Sequence, residues 1–412
     1  MSRSIVLADS AQRPELVETL GVNEETRNSS ARTPINAYPV WSPRFWHGMR
    51  AGCWWRLLRN NRWQVDWDRV SIVLGVSAIT PLNDALALAQ RAIFDRRIRT
   101  TAIQHPPVFI IGHWRSGTTL MHELLVEDPQ FAFPNTFQCF APSHFLLSEY
   151  LMVRLGGFLL PKRRPMDNMR AGWDLPQEDE FALMNLGVPS PYLRIAFPQT
   201  QDTYLQYLDM QGLNEDELAR WKTTFHWFLQ AITYRYGGKR LILKSPTHTG
   251  RLGLLASMYP GAKFIHMVRD PEKLYHSTKR LWRSLEQVQA LHGSADEERT
   301  SDYVLTCLRR MYAQFEKDRH TIDARRIMDV RYEDLAADPY NTIRHVYRSL
   351  DLGDFSEVAP RLAQRLASHR AYRPNQHPTD PLDAQRIFHH WHHYAAKYGY
   401  VHRGLESVEV AQ

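Results

Sequence analysis

Short apolar runs, each ended by glycine, proline or a charged residue, recur along the chain from residue 105 onward. Four of them predict buried strands: Val108–Ile111, Leu241–Leu243, Phe264–Val268 and Ile327–Val330. The stretches between them carry apolar residues at helical spacing, and so does the C-terminal stretch Ile387–Tyr398. Buried strands that alternate with helices indicate a parallel sheet covered on both faces. We therefore expect a three-layer α/β fold, a parallel sheet flanked by helices.

The stretch from residue 41 to residue 67 interleaves tryptophan with arginine and contains no lysine. Two interpretations are open: a helical layer packed on the main domain, or contact of residues 41–80 with an anionic membrane surface. An apolar run, Ser71–Thr80, follows, and Pro81, Asn83 and Asp84 should end it. About ten apolar residues are too few to cross a hydrocarbon core, which needs about twenty. No transmembrane helix is predicted here.

Composition narrows the class of protein and of partner. The 412 residues carry 51 basic and 44 acidic side chains, a formal charge of +7, and 43% of them are apolar. Such a chain is neither disordered nor a coiled coil, and its basic balance favours anionic partners. Cys53, Cys139 and Cys307 are widely spaced, which favours a reducing compartment and a cytoplasmic location.

The chain divides by composition into two parts. The first forty residues are polar, and acidic side chains interrupt any apolar core of a signal peptide. We expect a mobile polar leader there, followed by the helical extension that contains the tryptophans. The predicted domains are therefore residues 1–100, leader and extension, and residues 101–412, the main domain with its C-terminal helices.

The strongest chemical signal is the segment Pro107–Leu120, PVFIIGHWRSGTTL. A strand leads into a turn that contains Gly112 and Gly117, and a helix is predicted to begin directly after it. The backbone N–H groups of such a turn and of the helix N-terminus form an anion site. The turn resembles that of P-loop NTPases, but Thr118 stands where those proteins have lysine and Arg115 supplies the cation. A P-loop-like sheet is therefore expected.

The segment resembles the 5′-phosphosulfate loop of sulfotransferases that use 3′-phosphoadenosine 5′-phosphosulfate (PAPS). A second segment, Ala262–Ser277, is similar to another part of the same family, and the resemblance covers about residues 105–350. It is closest to the bacterial and tyrosylprotein-type branch, and it implies PAPS as the sulfonate donor without a metal. The residues implied for the donor are Arg115 (also with a catalytic role), Ser116, Gly117, Thr118 and Thr119 at the 5′-phosphosulfate, Arg269 and Ser277 at the 3′-phosphate, and Tyr332 beside the nucleotide.

Candidates for the chemical step lie elsewhere in the chain. The resemblance implies that Lys244, at the end of a predicted strand, contacts the transferred sulfonate or the leaving oxygen, where a fixed cation stabilises developing charge. The general base is open among Glu178, which we favour, Glu180, and the histidines His144 and His248. Acids at the start of a helix also have a purely structural explanation.

We expect an enzyme that moves a sulfonate group to a hydroxyl or amine of an acceptor. Sugar, lipid-linked, phenol and peptide-tyrosine acceptors are all open, and the aromatic-rich residues 130–235 should determine the choice. The alternatives are a P-loop kinase acting on a small molecule and a membrane-surface module without catalysis. No nucleic-acid-binding motif occurs, and His389–His393 is predicted to be a solvated helix face without a metal.

Overall fold

The computed structural model describes residues 38–39, 41–164, 169–200, 204–368 and 381–400, so most of the predicted leader lies outside the described residues. The strands are β1 (Val108–Ile111), β2 (Phe131–Ala132), β3 (Arg240–Lys244), β4 (Lys263–Val268) and β5 (Ile327–Arg331). The helices are α1 (Ala51–Asn60), α2 (Val70–Thr100), α3 (Thr118–Leu125), α4 (Thr136–Phe140), α5 (Phe145–Leu155), α6 (Asp179–Asn185), α7 (Gln206–Asp209), α8 (Glu215–Arg235), α9 (Leu252–Met258), α10 (Pro271–Gln289), α11 (Glu297–Arg319), α12 (Tyr332–Ala337), α13 (Pro339–Leu350), α14 (Phe355–Ser368) and α15 (Pro381–Lys397). Short 3₁₀ turns cover Phe45–Gly48, Trp67–Arg69, Gly156–Leu159, Pro191–Ala196, Pro246–Arg251 and Ala324–Arg326.

The strands form one parallel sheet in the order β2-β3-β1-β4-β5, which confirms the predicted sheet. The central strand is β1, whose Ile110 lies opposite Lys244 of β3 and Ile265 of β4. Because the strands are parallel, the carboxyl ends of β1, β3 and β4 meet at one edge of the sheet. Ligands bind at that edge in open α/β sheets, and the candidate residues of the loop, of β3 and of β4 all follow it.

Successive residues of the strands enter two different cores. On one face, Phe109, Ile111 and Leu243 pack with α8 and with the aromatic side chains of α10 and α11. On the other face, Val108 and Ile110 pack with α3, α13 and α14. A strand that is buried on both faces must be apolar at every position, which explains the uninterrupted apolar runs of the sequence.

The tryptophan-rich extension packs in part on the main domain. Trp46 and Trp54 are fully buried. The Trp46 Nε1 donates to the Gln289 carbonyl oxygen at the end of α10 at 2.8 Å, and the Trp54 Nε1 donates to Ser77 Oγ of α2 at 3.0 Å. The described residues from 38 to 400 belong to one compact unit, and the predicted boundary at residue 100 stays a prediction. The packed-layer interpretation therefore accounts for these two tryptophans.

The predicted break at Pro81 is wrong, because α2 continues through it from Val70 to Thr100. Proline cannot donate to the Ser77 carbonyl four residues earlier, but the Thr80 hydroxyl donates to that oxygen at 3.1 Å instead. Among the described residues, Trp67–Thr100 is the one helical stretch that is long and apolar enough to span a membrane by length and composition. The buried side chains of α2, among them Ile72, Val76 and Ile98, pack into the hydrophobic core.

Two fully buried histidines should make stability depend on pH. Burial lowers the pKa of His113, after β1, and of His122, in α3, to about 3. The unfolded chain takes up a proton on each below about pH 6.5, whereas the folded chain holds both neutral. Above that pH the two histidines do not reduce the free energy of unfolding. Below it the free energy of unfolding should decline, by about 2 kcal/mol per histidine at about pH 5. Urea unfolding at neutral and acidic pH measures this decline.

The variant His122→Gln supplies the control for this pH dependence, because it removes one of the two titrating rings. Its free energy of unfolding should decline by about 2 kcal/mol less than that of the wild type over the same pH range. An equal decline in both proteins would contradict the prediction.

Candidate active site

The loop between β1 and α3 forms an anion cradle at the carboxyl edge of the sheet. Its backbone turns through positive φ angles at Gly112 (135°), Arg115 (69°) and Gly117 (102°). A Cβ atom at Gly112 would lie 2.5 Å from the Met267 carbonyl oxygen, so this close approach to β4 requires glycine. No side chain caps the N-terminus of α3, and the buried Ser116 hydroxyl has no hydrogen-bond partner among the described residues. Such a loop leaves polar groups ready for an anionic ligand.

The second predicted anion segment meets this loop directly. Arg115 Nε donates to Ser277 Oγ in α10 at 3.1 Å, and Arg269 Nη1, after β4, donates to the Arg115 carbonyl oxygen at 2.8 Å. The Arg269 guanidinium stacks on the Tyr332 ring at 4.4 Å, and a Cβ at Gly117 would lie 2.5 Å from that ring. The structure therefore brings together residues that are far apart in sequence and that were all predicted to contact the nucleotide.

The remaining two loop residues lie in the first turn of α3. Thr118 is buried and Thr119 is half-buried, beside a helix N-terminus whose N–H groups have no helical partner. Both residues therefore lie where the loop backbone ends and the helix begins.

A charged pair lies next to the cradle, at the end of β3. Lys244, which is 2% exposed, donates from Nζ to Glu178 Oε1 at 2.7 Å. The Tyr192 hydroxyl donates to the other oxygen of Glu178, and the loop residue Trp114 donates from Nε1 to the Tyr192 hydroxyl at 2.8 Å. A continuous hydrogen-bonded chain thus joins the loop, the tyrosine, the carboxylate and the lysine.

Sequence reasoning did not find Tyr192 or Trp114. Trp114 lies inside the loop motif, so its position could have drawn attention to it, whereas Tyr192 follows an ordinary Ser-Pro helix start far along the chain. Burial raises the pKa of the Tyr192 hydroxyl well above its usual value, and the nearby Glu178 carboxylate raises it further. The tyrosine therefore keeps its proton and acts as a fixed donor to the carboxylate.

Glu180, the second acidic candidate, lies within an internal hydrogen-bond network. It is buried, and its carboxylate accepts hydrogen bonds from Arg251 Nη1 at 2.6 Å, Ser190 Oγ at 2.6 Å and Thr247 Oγ1 at 2.9 Å. Burial alone would raise the pKa of Glu180, but the Arg251 guanidinium outweighs it and the pKa is lowered. Both oxygens are occupied by this internal network. Of the two acidic candidates, Glu178 contacts Lys244 and Glu180 contacts Arg251.

The two histidine candidates are also part of the interior. His144 contacts Ser148 Oγ at 2.8 Å and Asn83 Oδ1 at 3.2 Å, and burial lowers its pKa to about 4. His248 Nε2 lies 2.6 Å from Asp179 Oδ2, and both side chains are fully buried. Neither imidazole contacts the Lys244 and Glu178 pair in this structure. Glu178 is therefore the candidate base that the geometry favours.

Comparison with known proteins gives the class to which this site belongs. Residues 106–357 match the model of the Sulfotransferase family. The chain is 39% identical over 376 residues to the omega-hydroxy-beta-dihydromenaquinone-9 sulfotransferase Stf3 of Mycobacterium tuberculosis, covering 90% of this chain and 95% of that protein. The protein of the same name from Mycobacterium bovis matches equally. The chain therefore belongs to the sulfotransferase family, and it is an enzyme that transfers a sulfonate group to an acceptor.

Solved structures agree on the fold. The chain is similar to sulfotransferase STF9 from Mycobacterium avium, with a TM-score of 0.62 and 18% identity over 85% of this chain and 96% of that one. It is also similar to sulfotransferase STF1 from Mycobacterium tuberculosis, with a TM-score of 0.56 and 19% identity over 82% and 90% of the two chains. The predicted α/β fold and the predicted enzyme class are confirmed, and neither a kinase nor a non-catalytic module is needed to explain the loop.

Proposed function

We propose that this sulfotransferase takes its sulfonate group from PAPS and places it on the hydroxyl group of a hydroxylated, menaquinone-like lipid, without a metal. One observation carries the proposal: the hydrogen-bonded pair of Lys244 and Glu178 lies beside a loop that is built to bind an anion. A fixed cation and a carboxylate are the two groups that sulfonate transfer to an alcohol needs.

The cradle fits a nucleotide with phosphate groups at both ends. The backbone from Ser116 to Thr119 offers N–H donors to the 5′-phosphosulfate, and the unpartnered Ser116 hydroxyl can add one more. Arg115, in the loop itself, adds a cation to the 5′-phosphosulfate end. Ser277 and the Arg269 guanidinium offer charge-assisted hydrogen bonds to the 3′-phosphate. The Tyr332 ring, stacked under Arg269, keeps that guanidinium in a fixed plane.

The chain's own residues then assist the transfer. In PAPS the sulfonate group is joined to an oxygen of the 5′-phosphate. When this sulfur–oxygen bond breaks, the oxygen leaves with the nucleotide as an anion. Lys244 offers a charged donor where that negative charge increases, and an ammonium group has three N–H donors, so it can keep Glu178 at the same time. Glu178 accepts the proton of the acceptor hydroxyl while the hydroxyl oxygen forms the new bond to sulfur. Tyr192 and Trp114 orient the carboxylate for that proton.

The class of acceptor rests on the relative and on the surface of this chain. The relative at 39% identity is named for an omega-hydroxylated dihydromenaquinone, which is a membrane lipid. In this chain, exposed apolar side chains occur on α2 and α5, including Leu82 and Leu151, which supports peripheral contact with a membrane. We keep a cytoplasmic location as part of the proposal, supported by the free thiols of Cys53, Cys139 and Cys307.

Calorimetry with 3′-phosphoadenosine 5′-phosphate tests the donor directly. We expect binding that weakens strongly when the ligand is adenosine 5′-phosphate, because Arg269 and Ser277 then have no 3′-phosphate to bind. Ser277→Ala should weaken binding of the first nucleotide about tenfold, since a hydrogen bond to a charged group contributes about 1.5 kcal/mol. The matched control is Ser284→Ala, about 10 Å further along α10, where the buried hydroxyl has no partner among the described residues. Equal affinity for the two nucleotides would contradict the proposed donor.

A further inference from the structure

The outer side of α5 and of the turn after it is apolar and open to solvent. Five side chains define what we call the α5 patch, and they are exposed by 36% to 75%: Leu147, Tyr150, Leu151, Leu155 and Phe158. The inner side of the same helix is anchored, because Glu149 accepts from Asn135 Nδ2 and Gln138 Nε2, each at 2.6 Å. The patch therefore belongs to a fixed helix and presents its apolar side chains outward.

Basic residues follow the α5 patch directly. From Tyr150 to Met166 the sequence contains Arg154, Lys162, Arg163 and Arg164 and no acidic residue. The side chains of Arg154, Lys162 and Arg163 are exposed. An apolar surface bordered by cations is complementary to a bilayer that contains anionic lipids, where the apolar groups enter the acyl region and the cations meet headgroups.

The neighbouring helix α2 has a second surface of the same kind. Its exposed large side chains lie on one face, the α2 face: Leu74, Leu82, Leu88 and Ile93. This face extends about 29 Å along the helix axis, and its other exposed positions from residue 78 to residue 92 include Ala78, Ala85, Ala89 and Ala92. The two helices adjoin, since the Leu146 backbone N–H donates to Gln90 Oε1 at 2.8 Å.

The opposite side of α2 fixes how this helix can meet a membrane. Asn83 donates from Nδ2 to the carbonyl oxygens of His47 and Met49 at 2.7 and 2.9 Å, and Gln90 accepts from Leu146 as above. These polar groups hold α2 lengthwise against the domain. A helix held this way can lie in the plane of the membrane surface with its free face down.

We propose that the α5 patch and the α2 face together dock the protein on an anionic bilayer. The docked side lies next to the active site, because the turn after α5 accepts a hydrogen bond at the Gly156 carbonyl from Trp173 Nε1 at 2.7 Å. From Trp173 the chain continues beside α4, where the Leu175 carbonyl oxygen accepts from the Thr136 backbone N–H at 2.9 Å, and then reaches Glu178. Docking thus holds the surface near Glu178 close to the lipid phase, and this use of the surface rests on the proposed lipid acceptor.

A bilayer explains this surface better than a second copy of the chain. A symmetric dimer would place each patch against its own equivalent, so that Arg154, Lys162 and Arg163 would face the same cations of the other copy. Exposed tryptophans also suit a lipid interface, where the indole ring lies at headgroup depth. Trp67, at the start of α2, is 93% exposed, and Trp55 and Trp63 lie together with ring centroids 5.8 Å apart.

Vesicle sedimentation of the full chain tests the proposal. Vesicles of phosphatidylcholine mixed with phosphatidylglycerol should retain the wild type at low ionic strength, and vesicles of phosphatidylcholine alone should retain less. Leu151→Glu with Phe158→Glu, and separately Leu82→Glu with Leu88→Glu, should each lower the partition coefficient at least about tenfold, because apolar burial is lost. Lys162→Glu with Arg163→Glu should remove the preference for the anionic vesicles. Phe388→Glu on α15, outside both surfaces, should bind as the wild type does.

Three results would overturn the docking proposal. They are a wild type that does not sediment with anionic vesicles, glutamate variants that sediment like the wild type, and light scattering that shows a dimer which the glutamate variants dissociate without changing sedimentation. Thermal unfolding verifies that each variant is folded. A glutamate pair that does not fold is replaced by serine at the same two apolar positions, and Lys162→Gln with Arg163→Gln replaces the charge-reversal pair. Sedimentation needs no turnover, so failure of the proposed reaction leaves this result intact. A short, water-soluble alcohol acceptor should be sulfonated equally by the wild type and the α5 variant.

Discussion

Replacing Lys244 with alanine should lower kcat about 10³-fold, which is the largest single effect that we expect in this protein. Lys244 is 2% exposed, so its charge acts in surroundings with little water to screen it. Removing one preorganised donor to a developing anion costs about 10²- to 10³-fold in other enzymes, and this donor carries a full charge. Because the interaction strengthens as the leaving oxygen becomes negative, kcat should fall far more than the affinity for the donor.

Steady-state kinetics with PAPS and a hydroxylated isoprenoid acceptor measures this loss. Lys244→Arg should recover part of the rate, since the guanidinium keeps the charge but not the shape of the ammonium group. The matched control is Lys263→Ala, at the amino end of β4, where the lysine donates to the Arg325 carbonyl oxygen at 3.2 Å on the opposite edge of the sheet. A Lys244→Ala enzyme that keeps more than about a tenth of the wild-type kcat would contradict the role given to this lysine.

Replacing Glu178 with glutamine should lower kcat about 10²- to 10³-fold. General-base catalysis contributes about 10²- to 10⁴-fold, and an amide cannot take the proton of the acceptor hydroxyl. Steady-state kinetics with PAPS and the same acceptor measures this loss.

Tyr192→Phe is the matched comparison for the Glu178 variant, because it leaves the carboxylate in place and removes its neutral donor. We expect a loss of about tenfold, the value of a hydrogen bond of about 1.4 kcal/mol. If Glu178→Gln keeps more than about a tenth of the wild-type kcat, the proton goes to another group.

The anion cradle could be predicted from sequence for a physical reason. A parallel sheet places the carboxyl ends of its strands at one edge, so residues that follow Ile111 and Val268 must lie near each other once both segments are recognised as strands. The contact of Arg115 with Ser277 is the outcome of that rule. Local patterns identify strands of this kind because buried strands are apolar at every position.

The choice between the two acids could not be made from sequence. Glu178 and Glu180 are two residues apart at the start of one helix, and their local surroundings in sequence are alike. The difference comes from Arg251, which follows a distant strand and occupies the carboxylate of Glu180, leaving Glu178 to Lys244. Long-range packing decides such a case, and local spacing contains no trace of it.

The course of α2 was missed for the same reason. Proline inside an apolar run normally ends a helix, and the sequence gives no sign that the Thr80 hydroxyl will occupy the Ser77 carbonyl oxygen. The length of α2 then follows from its tertiary contacts. The α2 face could be recognised only after the helix was known to continue through Pro81.

The ion pair between Lys244 and Glu178 makes the two side chains depend on each other. Each charge compensates the other in a nearly closed space, so removing either one leaves the other without its counter-charge. The losses of Lys244→Ala and Glu178→Gln should therefore not multiply in the double variant, because either single change already breaks the ion pair.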